Sequence, residues 1–435
     1  MTAEIAILNK TAVSLAADSA VSIGQYPNLK IYNTVNKIFE LSCRYPVGIM
    51  IYGRLDYMGL PLETVIKEYR RLRKGRSFDR ISDYKNDFLN YLNSEVPRSI
   101  KDEEDNIHLL IYDLYSRAAK DIEELILKDI LTRGSFHKSK TNGFAQTYIK
   151  GEIDRLKKLS FIGTRKSTRL PSSYIAIIDG LADALMAKIA PNEETKRLLR
   201  SYAGLFLNKN EFSSYRTGIV FAGFGDRDIC PSLEAVQIDG IVNGALKNST
   251  TNSVDIGRQP PQADILGFAQ DDMMKSFLDG VDPRFRNYIN GLVSDIITDT
   301  CREILNATIT DPVKASSAMS RLDSVIQSMT KSYTTKIDKF IDKNSSLPIK
   351  EMIRSMPRQE MATLAESLIE ITSLKRKVTR QQETVGGEVD VAIISKSEGF
   401  VWVKRKHYFP SELNQRFFTR REEAEQEGRH ATARK

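Results

Sequence analysis

Two apolar runs open the chain, Ala3 to Leu8 and Thr11 to Ala17, joined by the short polar pair Asn9-Lys10. Their wealth of Ile, Val, Leu and Ala around a two-residue connection predicts a β-hairpin starting at the very front of the sequence. Further strands are read at Val35 to Ser42, Val47 to Tyr52 (closed by Gly53), Thr217 to Gly225, Leu233 to Val242, Ser253 to Ile256, Ala263 to Phe268, Val389 to Ser395 and Gly399 to Tyr408. The stretches between them are helical in pattern. The clearest runs from Ile107 to about Leu131, where Ile111, Leu114, Tyr115, Ala118, Ile122, Leu125 and Ile126 make one apolar face. Pro61 suits the first turn of a helix after the fourth strand. The order is four strands, helices, four strands, helices, two strands. It predicts an α+β layered fold, because antiparallel strand groups need helices to cover their faces.

A length of 435 residues suggests two or three domains, or one domain with large insertions. Hydrophobic residues at 41% and charged residues at 28% fit a soluble globular protein. A net charge of +8 without a dense Lys/Arg stripe argues against nucleic-acid binding. Cys43, Cys230 and Cys301 are too far apart for a disulfide framework or a metal motif, so a reducing cytoplasm is expected. His108, His137, His407 and His430 are scattered and suggest no zinc site. No basic segment followed by an apolar core marks a signal peptide, and no apolar run reaches the ~18 residues of a membrane span.

Threonine follows the initiator methionine. Aminopeptidases remove Met ahead of a small side chain, which would make Thr2 the mature N-terminus. An N-terminal Thr carries a hydroxyl nucleophile and a general base, its α-amine, whose pKa near about 8 leaves a neutral fraction at pH 7. By itself a Met-Thr start is ordinary.

Three further features join it: Ala16-Ala17-Asp18-Ser19 at the end of the second strand, Asn36-Lys37-Ile38-Phe39-Glu40-Leu41 in the third, and Val385-Gly386-Gly387-Glu388-Val389-Asp390-Val391 before the last two. Taken singly, Asp18 is a turn residue, Lys37 an edge-strand lysine and the glycine pair a tight turn. Taken in order, they resemble the proteasome β-subunit family and its bacterial relative, the proteolytic subunit of the HslUV protease. Thr2 and Asp18 stand sixteen residues apart, as in that family. The resemblance implies a four-layer αββα sandwich of the N-terminal-nucleophile (Ntn) hydrolase kind and a catalytic trio of Thr2, Asp18 and Lys37. Lys37 then has to point inward, on one face with Val35, Phe39 and Leu41 by strand alternation, with Asp18 as its partner. The oxyanion donor is expected at Tyr52 or Gly53.

The supporting positions differ from the family pattern. Tyr52-Gly53 stands where the family has a glycine pair, and the tyrosine would crowd the cleft or wall it. Gln270 falls near the serine that supports the N-terminal amine, and Gln382 (beside Glu383) near an aspartate ahead of the Gly386-Gly387 turn. Glutamine hydrogen-bonds but supplies no charge.

The resemblance covers about half of the chain. Residues 1–72, 216–281 and 358–410 are expected to make the Ntn core, 73–215 and 282–357 two helical insertions, and 411–435 a charged tail that frays from a surface helix. Within the insertions, the basic segment Gly163 to Arg169 reads as a solvated loop. Met319, Leu322, Val325, Ile326 and Met329 read as a packing face.

The expected function is a proteasome-like threonine peptidase acting through Thr2 after loss of Met1. The resemblance implies no metal or cofactor, a peptide or unfolded-protein substrate, a homo-oligomer that could close into a ring, and an ATPase or adaptor partner. Nucleic acid and membrane are not expected partners. Two other readings are an inactive proteasome-like scaffold subunit and an Ntn amidase acting on a small amide.

Overall fold

The computed structural model describes residues 2–23, 30–42, 44–133, 140–163, 165–257, 260–308, 312–379, 385–407, 409–416 and 419. The opening hairpin forms as β1 (Ala3–Asn9) and β2 (Ala12–Ala17). Asn9 closes it: its Oδ1 accepts the backbone N–H groups of Thr11 and Ala12, an Asx-type turn. Both strands are buried along their whole length, so both of their faces are covered. Next come β3 (Ile38–Glu40) and β4 (Val47–Gly53), then helices α1 (Leu62–Leu72) and α2 (Ile81–Ser94). Four helices follow: α3 (Ile100–Arg133), α4 (Thr141–Lys157), α5 (Ser172–Leu185) and α6 (Glu193–Asn208). The chain returns to strands with β5 (Thr217–Gly223), β6 (Ser232–Val242), β7 (Ala245–Asp255) and β8 (Ala263–Ala269). A second helical stretch holds α7 (Asp272–Asp279), α8 (Pro283–Thr308), α9 (Pro312–Ile341), α10 (Leu347–Arg354) and α11 (Arg358–Val378). The hairpin β9 (Asp390–Ser395) and β10 (Gly399–Lys404) completes the order.

These strands make two five-stranded antiparallel sheets. The first runs β8-β1-β2-β9-β10 and the second β7-β6-β5-β4-β3. Alternation along β1 and β2 sorts their side chains. Ala6, Leu8, Val13 and Leu15 meet Ile38, Met50, Val220 and Ala222 of the second sheet in a shared apolar layer. Ile5, Ile7, Ala12 and Ala16 face the other way, against Met361, Ala365, Leu368 and Ile369 of α11. The far face of the second sheet presents Ile49, Ile51, Ile219 and Phe221 to Val65, Ile66 and Tyr69 of α1 and to Tyr84 and Phe88 of α2. Thus α2, which the sequence assigns to the first insertion, packs on the sheet. Helices α3 to α6 share a separate core around Ile111, Tyr115, Ile149, Ile178, Leu199 and Phe206.

Three readings change. The strand read at Ser253 to Ile256 is the end of β7, eleven residues long. Its polar run from Lys247 to Asn252 lies at the edge of the second sheet, where one open face needs no apolar pattern. The basic segment near 163–169 is not simply solvated. Arg165 donates to the carbonyls of Leu207 (2.9 Å), Val242 (2.7 Å) and Ala245 (2.9 Å), tying α6 to the β6–β7 turn. The expected packing face of α9 is only partly covered, since Val325 and Met329 are exposed. Tyr408 and residues 420–435 lie outside the described residues.

One more buried link joins the helices to the second sheet. Asp239 of β6 accepts the backbone N–H (2.9 Å) and the hydroxyl (2.7 Å) of Ser213, which follows α6. Lys247 of β7 reaches the same carboxylate at 3.4 Å and donates to the Phe206 carbonyl at 2.9 Å.

Candidate active site

Thr2 and Glu4 occupy even positions at the start of β1, the face that continues through Ala6 and Leu8 into the layer between the sheets. Asp18 comes one residue after β2, its backbone N–H on the Ala3 carbonyl at 3.2 Å. The antiparallel hairpin therefore sets Asp18 beside Thr2. The Thr2 hydroxyl oxygen lies 2.5 Å from Asp18 Oδ1. Lys37 Nζ donates to that same hydroxyl oxygen and to Asp18 Oδ1 at 2.6 Å. All three side chains are buried: Thr2 is 4% exposed, Asp18 and Lys37 1% each. An ammonium on a hydroxyl oxygen stabilises the alkoxide that forms when the proton leaves, and a dry site strengthens that attraction.

The distant glycine turn is part of this cluster. Gly386 donates its N–H to Asp18 Oδ2 at 3.0 Å, and its carbonyl accepts from Ser19 N–H at 3.2 Å. Gly387 has φ +74°, and a Cβ there would stand 2.7 Å from the Asn33 carbonyl oxygen, so a side chain does not fit. Ala3 N–H (3.1 Å) and Ala20 N–H (3.2 Å) also donate to Asp18. The carboxylate is held from three directions.

Lys37 reaches the site by another route than alternation predicts. The strand covers only Ile38–Glu40, and Phe39 and Leu41 pack in the helix-facing core of the second sheet. Lys37 therefore does not share their face. It sits just ahead of the strand, its carbonyl accepting the Ile51 N–H at 2.9 Å, and its side chain reaches Thr2 and Asp18 of the first sheet.

The supporting positions are mixed. Gln270 contributes its backbone: its N–H donates to the Thr2 carbonyl at 3.0 Å. Tyr52 is partly buried against the layer between the sheets. Its ring lies flat over Gly218, where a Cβ would come within 1.9 Å of it, and packs beside Phe268 at 5.5 Å between centroids. Burial, then the nearby Glu4, pushes its hydroxyl pKa up. Gly53 ends the strand exposed, with φ +78°, against the Arg216 carbonyl. Gln382 lies outside the described residues, as does Met1.

Sequence reasoning missed Glu4. It stands opposite Ala17 and Phe268 in the first sheet, 1% exposed. Its Oε1 accepts a hydrogen bond from the Thr2 hydroxyl and lies 3.8 Å from Lys37 Nζ, while Oε2 is buried without a hydrogen-bond partner among the described residues. Burial raises its pKa to about 8 against the pull of Lys37. The signal was present in Ala3-Glu4-Ile5-Ala6-Ile7-Leu8, where one acid interrupts an apolar strand.

Neither a protein-family model nor a curated protein matches this chain. Among the described residues, no group of three His, Cys, Asp or Glu could hold a metal ion, and no helix is long and apolar enough to cross a membrane.

Proposed function

We propose that this chain is an N-terminal threonine hydrolase of the proteasome-like Ntn kind, built on an αββα sandwich and cleaving peptide bonds. One observation carries the reading: Lys37 and Asp18, far from Thr2 in sequence, meet on the Thr2 hydroxyl oxygen. The helix-covered outer faces of the two packed sheets support the sandwich.

In this reading the Met1–Thr2 bond is cut and Thr2 becomes the first residue. Its Oγ1 attacks the scissile carbonyl while Lys37 and Asp18 hold the developing charge, giving an acyl ester and releasing the amine product. Water then cleaves the ester, with the α-amine as base. The same reading implies a cytoplasmic homo-oligomer that encloses Thr2.

The enclosure of Thr2, 4% exposed, also favours a second reading: an amidase for a small amide that fits a closed site. A substrate panel running from small amides to unfolded protein separates the two.

The decisive test is the intact mass of the N-terminus, followed by an electrophile that needs both hydroxyl and amine of an N-terminal Thr. Loss of Met1, with labelling that disappears in Thr2→Ala, is expected. A protein that keeps Met1 and does not react is instead a noncatalytic scaffold.

A further inference from the structure

A carboxylate offers about four lone-pair sites. On Asp18 four donors besides the Thr2 hydroxyl compete for them: Ala3 N–H and the Lys37 ammonium on Oδ1, Ala20 N–H and Gly386 N–H on Oδ2. The Thr2 hydroxyl oxygen accepts from Lys37, so its own proton has to point at a carboxylate. Asp18 Oδ1 lies within reach at 2.5 Å but already accepts from Ala3 N–H and Lys37. Glu4 is the less crowded acceptor, because Oε1 faces the hydroxyl and, among the described residues, Oε2 is buried with no hydrogen-bond donor.

We infer that Glu4 is a catalytic base, the first acceptor of the Thr2 hydroxyl proton. This rests on the reading of Thr2 as nucleophile and adds to it a group that the resemblance does not supply. In acylation, the hydroxyl proton moves to Glu4 Oε1 as the Oγ1–carbon bond forms and the carbonyl π electrons move to its oxygen. When those electrons return, the carbon–nitrogen bond breaks and the leaving amine takes the proton from Glu4. In deacylation, the Thr2 α-amine takes a proton from water as the water oxygen bonds to the ester carbon. The proton goes back to Oγ1 when the ester bond breaks.

The charged and titratable groups facing Glu4 are Lys37 at 3.8 Å, Asp18 and the Tyr52 hydroxyl. After cleavage of the Met1–Thr2 bond, the Thr2 α-amine joins them. Burial holds Glu4 near about 8, so its basic form grows as pH rises from 7 to 9. Freeing a cationic amine nearby favours that form further.

The test uses the full chain and a peptidyl β-lactone, which acylates a hydroxyl without needing an amine. Adduct formation at Thr2 is followed by intact mass from pH 6 to 9. Glu4→Gln keeps the volume and removes the base, and is expected to slow labelling by about 10²-fold or more and to flatten its rise with pH. Glu4→Asp restores a base one methylene short and is expected to recover part of the rate. If Glu4→Gln labels within about threefold of the parent, with the same pH limb, Glu4 is not the base and Thr2 stands as nucleophile without it. If the parent itself does not label, the nucleophile reading falls and takes the role of Glu4 with it. If Glu4→Gln does not fold, Glu4→Asp decides: a slower rate with a displaced limb supports the role, and an unchanged rate and limb overturns it.

Discussion

The same three kinds of side chain, a hydroxyl, an aspartate and a lysine, meet in two buried places. Around Thr2 the lysine ammonium sits on the hydroxyl oxygen itself, and Asp18 backs it. Around Ser213 the lysine stands across the aspartate, at 3.4 Å from Asp239. There the hydroxyl oxygen accepts the Tyr215 backbone N–H at 3.2 Å and its proton goes to Asp239. Lys247 is held by the Phe206 carbonyl and by the rings of Phe206 (4.3 Å) and Phe212 (5.1 Å). Every polar group in that second set has a fixed partner, so it ties helices to sheet. In the first set one carboxylate oxygen, Glu4 Oε2, has no hydrogen-bond partner among the described residues. Inventory does not separate the two places; which atom the cation touches does.

The matched pair Asp18→Asn and Asp239→Asn tests that contrast most severely. Asp18→Asn is expected to cut β-lactone labelling of Thr2 by about 10²–10³-fold, because the charge behind Lys37 is gone. Asp239→Asn is expected to leave labelling unchanged and to cost about 3 kcal/mol in urea unfolding, as a buried lysine loses its partner. Equal effects of both on labelling would erase the distinction.

Next in size are two opposite dependences of stability on pH. Glu4 has a folded pKa of about 8 against an ordinary 4.5. Between those values the folded chain keeps a proton that the unfolded chain has lost, so stability falls as pH rises from about 4.5 to about 8. Burial lowers Lys247 from 10.5 to about 8. Here the unfolded chain keeps the proton that the folded chain has shed, so stability rises from about pH 8 to about 10.5. Each slope can reach about 1.4 kcal/mol per pH unit. Urea midpoints of Glu4→Gln should lose the lower slope and those of Lys247→Met the upper; a slope that survives its variant is not due to that residue. The smallest effect is expected from Arg165→Ala, about 1 kcal/mol from three weakened carbonyl contacts, with labelling untouched.

The sequence made the opening hairpin and the Thr2–Asp18 pairing legible because a two-residue turn leaves little choice of register. It made Lys37 legible through its motif, but not its approach, which depends on where β3 begins. The length of β7 was hidden because a strand with one open face can be polar. Glu4 was hidden for the opposite reason: strand pattern absorbed it, and nothing local says that its buried face also holds a lysine and a hydroxyl.

The clamp on Asp18 has a consequence in time. Gly386 lies 368 residues downstream of the carboxylate it fixes. At about 5–20 residues per second, the ribosome needs roughly 20–70 s to make that stretch. Strand β9, the neighbour of β2, comes later still. A growing chain thus carries its threonine long before it can finish the wall around it. Any product truncated before the glycine turn lacks the Gly386 contact that fixes Asp18.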